Sequence, residues 1–279
     1  MTGRAVRRIK VRAASGSREA LVRCAVTMIA ERIGATADAP GPAISASPTH
    51  PPSATLRVVR LERPGACWIE ASGDGIDRAI DEARAALGPA VTIRIDDGWD
   101  PNESTGAPGG SRPGADGWDP KQFEGGLGAG EGDAWLAGFA TEAIDHTADE
   151  AFAVTAADRA DLLAAAAEAL GGLIASPRGV RIAESRAISV SAPEEAWADD
   201  DRMFAWLAEV LFVLDTSRVA LRRAVVLEDD DRGVRGAIFG EPLDADRHAI
   251  RGGIKAVTYH GLTLEETPAG LRATIVVDV

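Results

Sequence analysis

The sequence predicts an α+β protein in two parts, and three observations predict it. Residues 1–96 hold helix-periodic and strand-periodic segments in the order βαββαβ. Residues 97–134 are rich in Gly, Pro, Asp and Ser and nearly devoid of aliphatic side chains, so they cannot bury enough surface to order themselves and read as a disordered linker. Residues 135–279 alternate between two long helical patterns and several strand patterns joined by short turns, the signature of mainly antiparallel pairing.

Each element follows from its residues. Arg8–Ala13 alternates basic and apolar side chains and reads as a strand, with Arg8, Lys10 and Arg12 on one face. Ser15 or Ser17 caps a helix running to Ile33, and Gly34 stops it. Residues 37–54 form a loop of Ala, Pro and Ser. Strands Thr55–Leu61 and Ala66–Ala71 meet at a Pro64-Gly65 turn, helix Ile76–Leu87 ends at Gly88-Pro89, and strand Val91–Ile95 closes the unit. This order is that of a ferredoxin-like, split βαβ domain, a scaffold that serves many functions. In the linker, Asp97-Gly98-Trp99-Asp100-Pro101 recurs as Asp116-Gly117-Trp118-Asp119-Pro120, a duplicated tract or a docking motif present twice.

In the second half, Ala151–Val154 reads as a strand, and Thr155 caps a helix over Ala156–Ala175 with Asp158 at the capping-box position. Ala187–Ser191 is a strand. Asp199-Asp200-Asp201 opens a helix whose buried stripe is Met203, Leu207, Val210, Leu211 and Leu214, widened by Trp206. Strands follow at Ala224–Leu227, Val234–Gly240, Ile254–Thr258, Leu262–Glu266 and Leu271–Val277.

Composition narrows the function. A net charge of -13 argues against general coating of nucleic acid, although residues 1–33 carry +6 and so leave the remainder near -19. Cys24 and Cys67 lack metal-ligand spacing and read as buried free thiols of a reducing, cytoplasmic setting. No apolar run reaches membrane-spanning length, and no signal peptide follows the basic start.

The chemistry gathers in three places. Asp145-His146-Thr147-Ala148-Asp149 packs two carboxylates, an imidazole and a hydroxyl into five residues. In an extended chain Asp145, Thr147 and Asp149 share a face. Ile254–His260 holds Lys255, the one lysine after residue 121 in a chain with 27 arginines and three lysines, and Tyr259, the sole tyrosine. Where arginine is the default cation, a lysine among apolar residues suggests a site that wants a compact ammonium. Finally, Asp278-Val279 puts an acid and a terminal carboxylate directly after a strand. Beside Asp149 these oxygens would repel unless a hard cation bridged them.

From about Phe139 to Val279 these residues resemble the archease family. The resemblance rests on Asp145–Asp149, the Trp206-Leu207 helix running to Asp215, Gly240-Glu241, His248, Ile254–His260 and Asp278-Val279. Glu150, where the family usually has a small apolar residue, and Leu271, where an aromatic is common, depart from it. The resemblance implies a protein cofactor, not an enzyme, that activates RNA ligases of the RtcB type in tRNA splicing and RNA repair by promoting their guanylylation and repeated turnover. It also implies that Asp149, Asp278 and Val279 hold calcium or another hard divalent cation. Lys255 is then presented to the ligase, with Asp145, His146, Tyr259 and His260 as supporting groups. Two other classes compete: a metal-dependent hydrolase using Asp145, Asp149 and His146, and a general chaperone. Residues 1–96 lie outside the resemblance. There the basic stripe of Arg8, Lys10 and Arg12 suggests a weak contact with RNA phosphates or with the acidic body of a partner, or else a strand that only balances nearby acids.

Overall fold

The computed structural model describes residues 7–35, 54–62, 65–96, 139, 141–144, 150–193 and 197–279. The linker tract, its two tryptophan motifs, the loop after position 35 and the stretch Asp145–Asp149 lie outside the described residues.

The N-terminal unit runs β1 (Arg7–Ala13), α1 (Arg18–Ile33), β2 (Thr55–Glu62), β3 (Ala66–Ser72), α2 (Ile76–Leu87) and β4 (Val91–Asp96). Its sheet has the order β2-β3-β1-β4, antiparallel throughout. Alternation along β1 buries Ile9, Val11 and Ala13 toward the helices and turns Arg8, Lys10 and Arg12 to the opposite face. Gly34 takes the left-handed conformation that ends α1, with its amide on the Glu31 carbonyl at 3.1 Å.

The C-terminal half contains β5 (Thr141–Ile144), β6 (Glu150–Ala156), α3 (Arg159–Ile174), β7 (Glu184–Ser191), α4 (Asp199–Ser217), β8 (Val219–Asp230), β9 (Gly233–Pro242), β10 (Ala256–Thr267) and β11 (Gly270–Asp278). Two antiparallel sheets, ordered β10-β11-β6-β5 and β7-β9-β8, pack against α3 and α4. The expected stripe of α4 is buried in full: Met203, Trp206, Leu207, Val210, Leu211 and Leu214. The Trp206 indole donates to the Leu163 carbonyl at 2.9 Å, which satisfies its one polar atom inside the core.

Two expectations need correction. The cap of α3 is Asp158, whose carboxylate accepts from the Asp161 amide at 2.9 Å; Thr155 belongs to β6. The reason is that β6 continues two residues past Val154, paired with β11 through Leu271↔Ala156. Strands Ile254–Thr258 and Leu262–Glu266 are one strand, β10, with a register shift between Thr258 and Thr263. Gly261 at φ +71 absorbs the irregularity without ending the strand.

Helix α1 belongs to both halves. Eleven of its sixteen residues are buried, on every side of the helix, because its own sheet covers one side while β8 and α3 cover another. Ser17 is stitched to β8: its amide donates to the Val226 carbonyl at 2.8 Å, and its hydroxyl accepts from the Val226 amide at 2.7 Å. The first-turn amides of α1, orphaned in any helix, donate across the chain to the Asp161 carboxylate, from Glu19 at 3.1 Å and Ala20 at 3.0 Å. Desolvation outweighs these two amides and raises the Asp161 pKa to about 6. Deeper in, the fully buried Arg223 guanidinium donates to Thr27 of α1 at 3.2 Å and to Glu168 of α3 at 3.4 Å. At the far end Glu31 accepts from the Ile182 amide at 2.7 Å and lies 3.7 Å from Arg222.

Candidate functional site

The strand order brings the two distant C-terminal motifs together. Because β10 and β11 pair with Ala256 opposite Asp278, the residue before β10 and the residue after β11 meet at one end of the sheet. The Lys255 amide donates to the Asp278 carbonyl at 2.8 Å. Its ammonium donates to the Val279 main-chain oxygen at 2.6 Å and stands 4.0 Å from the Asp278 carboxylate. Both side chains are exposed, at 71% for Lys255 and 52% for Asp278, so the pair adds little to stability and stays accessible. Glu150, the first residue of β6, lies opposite Val277, so β6 begins beside the same sheet end.

The expected metal ligands divide accordingly. Asp278 and Val279 meet; Asp149 lies outside the described residues, as do Asp145 and His146. Among the described residues no group of three His, Cys, Asp or Glu side chains has metal-binding geometry. The groups gathered at the sheet end are all oxygens, and a cationic nitrogen already seats itself on them. That donor chemistry fits a hard cation.

Val257 lies in the core, whereas Tyr259, two residues on and within the register shift that begins after Thr258, is 54% exposed. Its ring stacks on Phe204 of α4, centroids 3.9 Å apart, and its hydroxyl donates to Asp201 at 3.1 Å. Desolvation and the neighbouring Asp201 and Asp200 raise the phenol pKa. The acidic start of α4, read from the sequence as helix-dipole complementation, therefore also holds the tyrosine. Nothing local to Asp201 signals a partner 58 residues away. His260 is exposed, and its carbonyl accepts from Thr258 at 3.2 Å.

The hallmarks Gly240-Glu241 and His248 occupy a different place, at the end of β9. Gly240 lies against the Ala220 carbonyl oxygen of β8, where a Cβ has no room. Glu241 and His248 are buried, at 4% and 3% exposure. Burial alone would raise the Glu241 pKa, but hydrogen bonds from Arg247, the Arg181 amide and His248 lower it to about 2.

In the N-terminal unit three of the four basic side chains of β1 already have partners, the first being Arg7, 3.8 Å from Asp77. Arg8 donates to Glu70 at 2.9 Å, and the Lys10 ammonium stands over the Trp68 ring, 5.0 Å from its centroid, while Arg12 is exposed. Cys24 and Cys67 are free and buried, and burial raises the Cys24 pKa. Among the described residues no helix is long and apolar enough to cross a membrane.

Comparison with known proteins covers the C-terminal half. Residues 142–279 match the model of the Archease protein family (MTH1598/TM1083). Protein archease of Methanopyrus kandleri is 35% identical over 141 residues, which are 50% of this chain and 98% of that protein. Protein archease of Archaeoglobus fulgidus is 30% identical over 138 residues, 49% of this chain and 96% of that protein. The solution structure of Methanobacterium thermoautotrophicum protein 1598 matches at 24% identity with a TM-score of 0.42, covering 50% of this chain and 98% of that one. By its residues 142–279, this chain belongs to the archease family.

Proposed function

We propose that this protein activates an RNA ligase of the RtcB type, promoting guanylylation of the ligase and supporting its repeated turnover in tRNA splicing and RNA repair. It acts as a protein cofactor, without chemistry of its own, in the cytoplasm. The observation that carries the reading is the exposed Lys255 ammonium held over the Asp278 and Val279 oxygens at one sheet end. A cation presented on a rigid strand end, and not spent on stability, is suited to act on a partner.

Asp278 and Val279 would hold calcium or a similar hard cation together with Asp149, and the cation would supply positive charge toward the ligase's reacting phosphates. The chain's own residues do the rest. Lys255 is oriented by the Asp278 carbonyl, and Tyr259, braced by Phe204 and Asp201, stands on the same edge strand. Residues 1–96 we read as a ferredoxin-like domain, supported by the strand order β2-β3-β1-β4. Arg12 is its most available contact for RNA phosphates.

The deciding experiment is guanylylation of a purified RtcB-type ligase by GTP, with and without this protein. Stimulation is expected, and a ligase indifferent to the protein would refute the reading. Calorimetry tests the cation independently: Asp278→Ala should abolish calcium binding in a protein that remains folded, and full affinity in that variant would remove Asp278 from the ligand set.

A further inference from the structure

We infer that Glu241 and His248 are positioning residues for Lys255, clamping the connection between β9 and β10 that delivers the lysine to the sheet end. This rests on the reading of Lys255 as the group presented to a partner.

The connection, residues 243–255, has little regular structure, yet it is tied down along its length. Leu243 donates to the Arg218 carbonyl at 2.7 Å and His248 to the Asp244 carbonyl at 2.8 Å. Ser176 donates to the Ala249 carbonyl at 3.0 Å, Ile250 bridges Ala175, and Arg251 donates to the Ile174 carbonyl at 2.9 Å. The middle of the connection is thereby strapped across the C-terminal end of α3.

One buried carboxylate centres the clamp. Glu241 accepts from the Arg181 amide at 2.8 Å, the Arg181 guanidinium at 3.3 Å and Arg247 at 2.6 Å. His248 joins it from inside the connection, Nε2 to Oε1 at 3.2 Å. The tautomer follows from the other ring nitrogen. Nδ1 accepts from the Asp244 amide at 3.0 Å, so Nε2 carries the proton and donates to Glu241. The imidazole therefore fixes both the start of the connection, through Asp244, and its middle, through its own backbone, to the end of β9.

Beyond Arg251 only Gly252, Gly253 and Ile254 precede Lys255. A Cβ at either glycine would meet open space, whereas Ile254 packs on the core. This arm is short, at most about 14 Å if fully extended, so a shift of the strapped segment displaces the ammonium. Two buried polar residues thus share one task with the lysine.

The test uses the full chain with 13Cε-labelled lysine. Its three lysines give three signals, and Lys255→Arg assigns the one of interest. Glu241→Gln keeps the shape but drops the charge. His248→Gln keeps a donor toward Glu241, whereas His248→Asn keeps only the acceptor for Asp244. In folded protein, Glu241→Gln and His248→Asn should shift and broaden the Lys255 signal and reduce ligase stimulation tenfold or more, and His248→Gln should restore most of both. A merely structural role would lower the melting temperature and leave the Lys255 signal where it was. That result, or a failure of His248→Gln to differ from His248→Asn, overturns the inference. If the wild-type protein leaves the ligase unstimulated, the functional reading fails while the lysine signal still decides the positioning.

Discussion

Two of the regions in which carboxylates and cations meet have opposite consequences. Between α1 and the C-terminal half, Asp161, Glu168, Arg223 and Thr27 are almost shut off from water. At the end of β10 and β11, Lys255 and Asp278 are mostly exposed. A buried pair has lost its hydration, so removing one partner strands the other at high cost. An exposed pair costs little to break and can exchange partners. The first region is therefore built to hold and the second to be used.

The largest predicted effect tests the holding region. Glu168→Ala leaves Arg223 without its carboxylate and should destabilise the protein by about 3–5 kcal/mol in denaturant unfolding. A loss below ~1 kcal/mol would mean that water reaches the guanidinium. Asp161 supplies a smaller effect with a defined pH dependence. Its folded pKa, about 6, lies above its ordinary 3.8. The associated stability is full below pH 3.8 and is lost as pH rises through about 6, a difference of up to ~3 kcal/mol. Asp161→Asn should flatten that window relative to wild type, while Glu241, whose pKa is about 2, contributes stability that is present above its ordinary 4.5 and disappears as pH falls through 2. Unfolding curves at pH 4 and pH 7 for wild type and Asp161→Asn measure the first difference. The smallest effect on stability belongs to the region built for use: Lys255→Ala should change unfolding by less than ~0.5 kcal/mol while abolishing ligase stimulation. A large fall in melting temperature with stimulation intact would reverse the contrast.

Much of the fold was legible because periodicity is local. The helix limits Ile76–Leu87 and Ile33, the buried stripe of α4 and the paired strands follow from spacing alone. Thr155 misled because a capping residue competes with strand pairing, and the partner strand lies more than a hundred residues away. The split of β10 into Ile254–Thr258 and Leu262–Glu266 misled because a strand can carry an irregularity, here with Gly261 at positive φ, and continue beyond it. Of the site, the contact of Lys255 with Asp278 and Val279 joins residues that the family motifs marked separately, Asp278 having been expected beside Asp149, which lies outside the described residues; only the three residues themselves were legible. The stacking of Tyr259 on Phe204 and the clamp of Glu241 by Arg181 were not, since nothing near either pair in sequence marks it. The double burial of α1 was likewise hidden: the sequence shows one apolar face, Leu21, Ala25, Met28, Ile29 and Ile33, and nothing local says that Arg23 and Thr27 are covered as well.

That helix has a consequence for how the molecule opens. Its amides exchange with solvent only when the N-terminal sheet and the β8 face have both withdrawn from it. The slowest-exchanging hydrogens of the chain should then cluster in residues 20–30, outside the segment shared with archeases, and their protection should report the free energy of opening the whole chain at once.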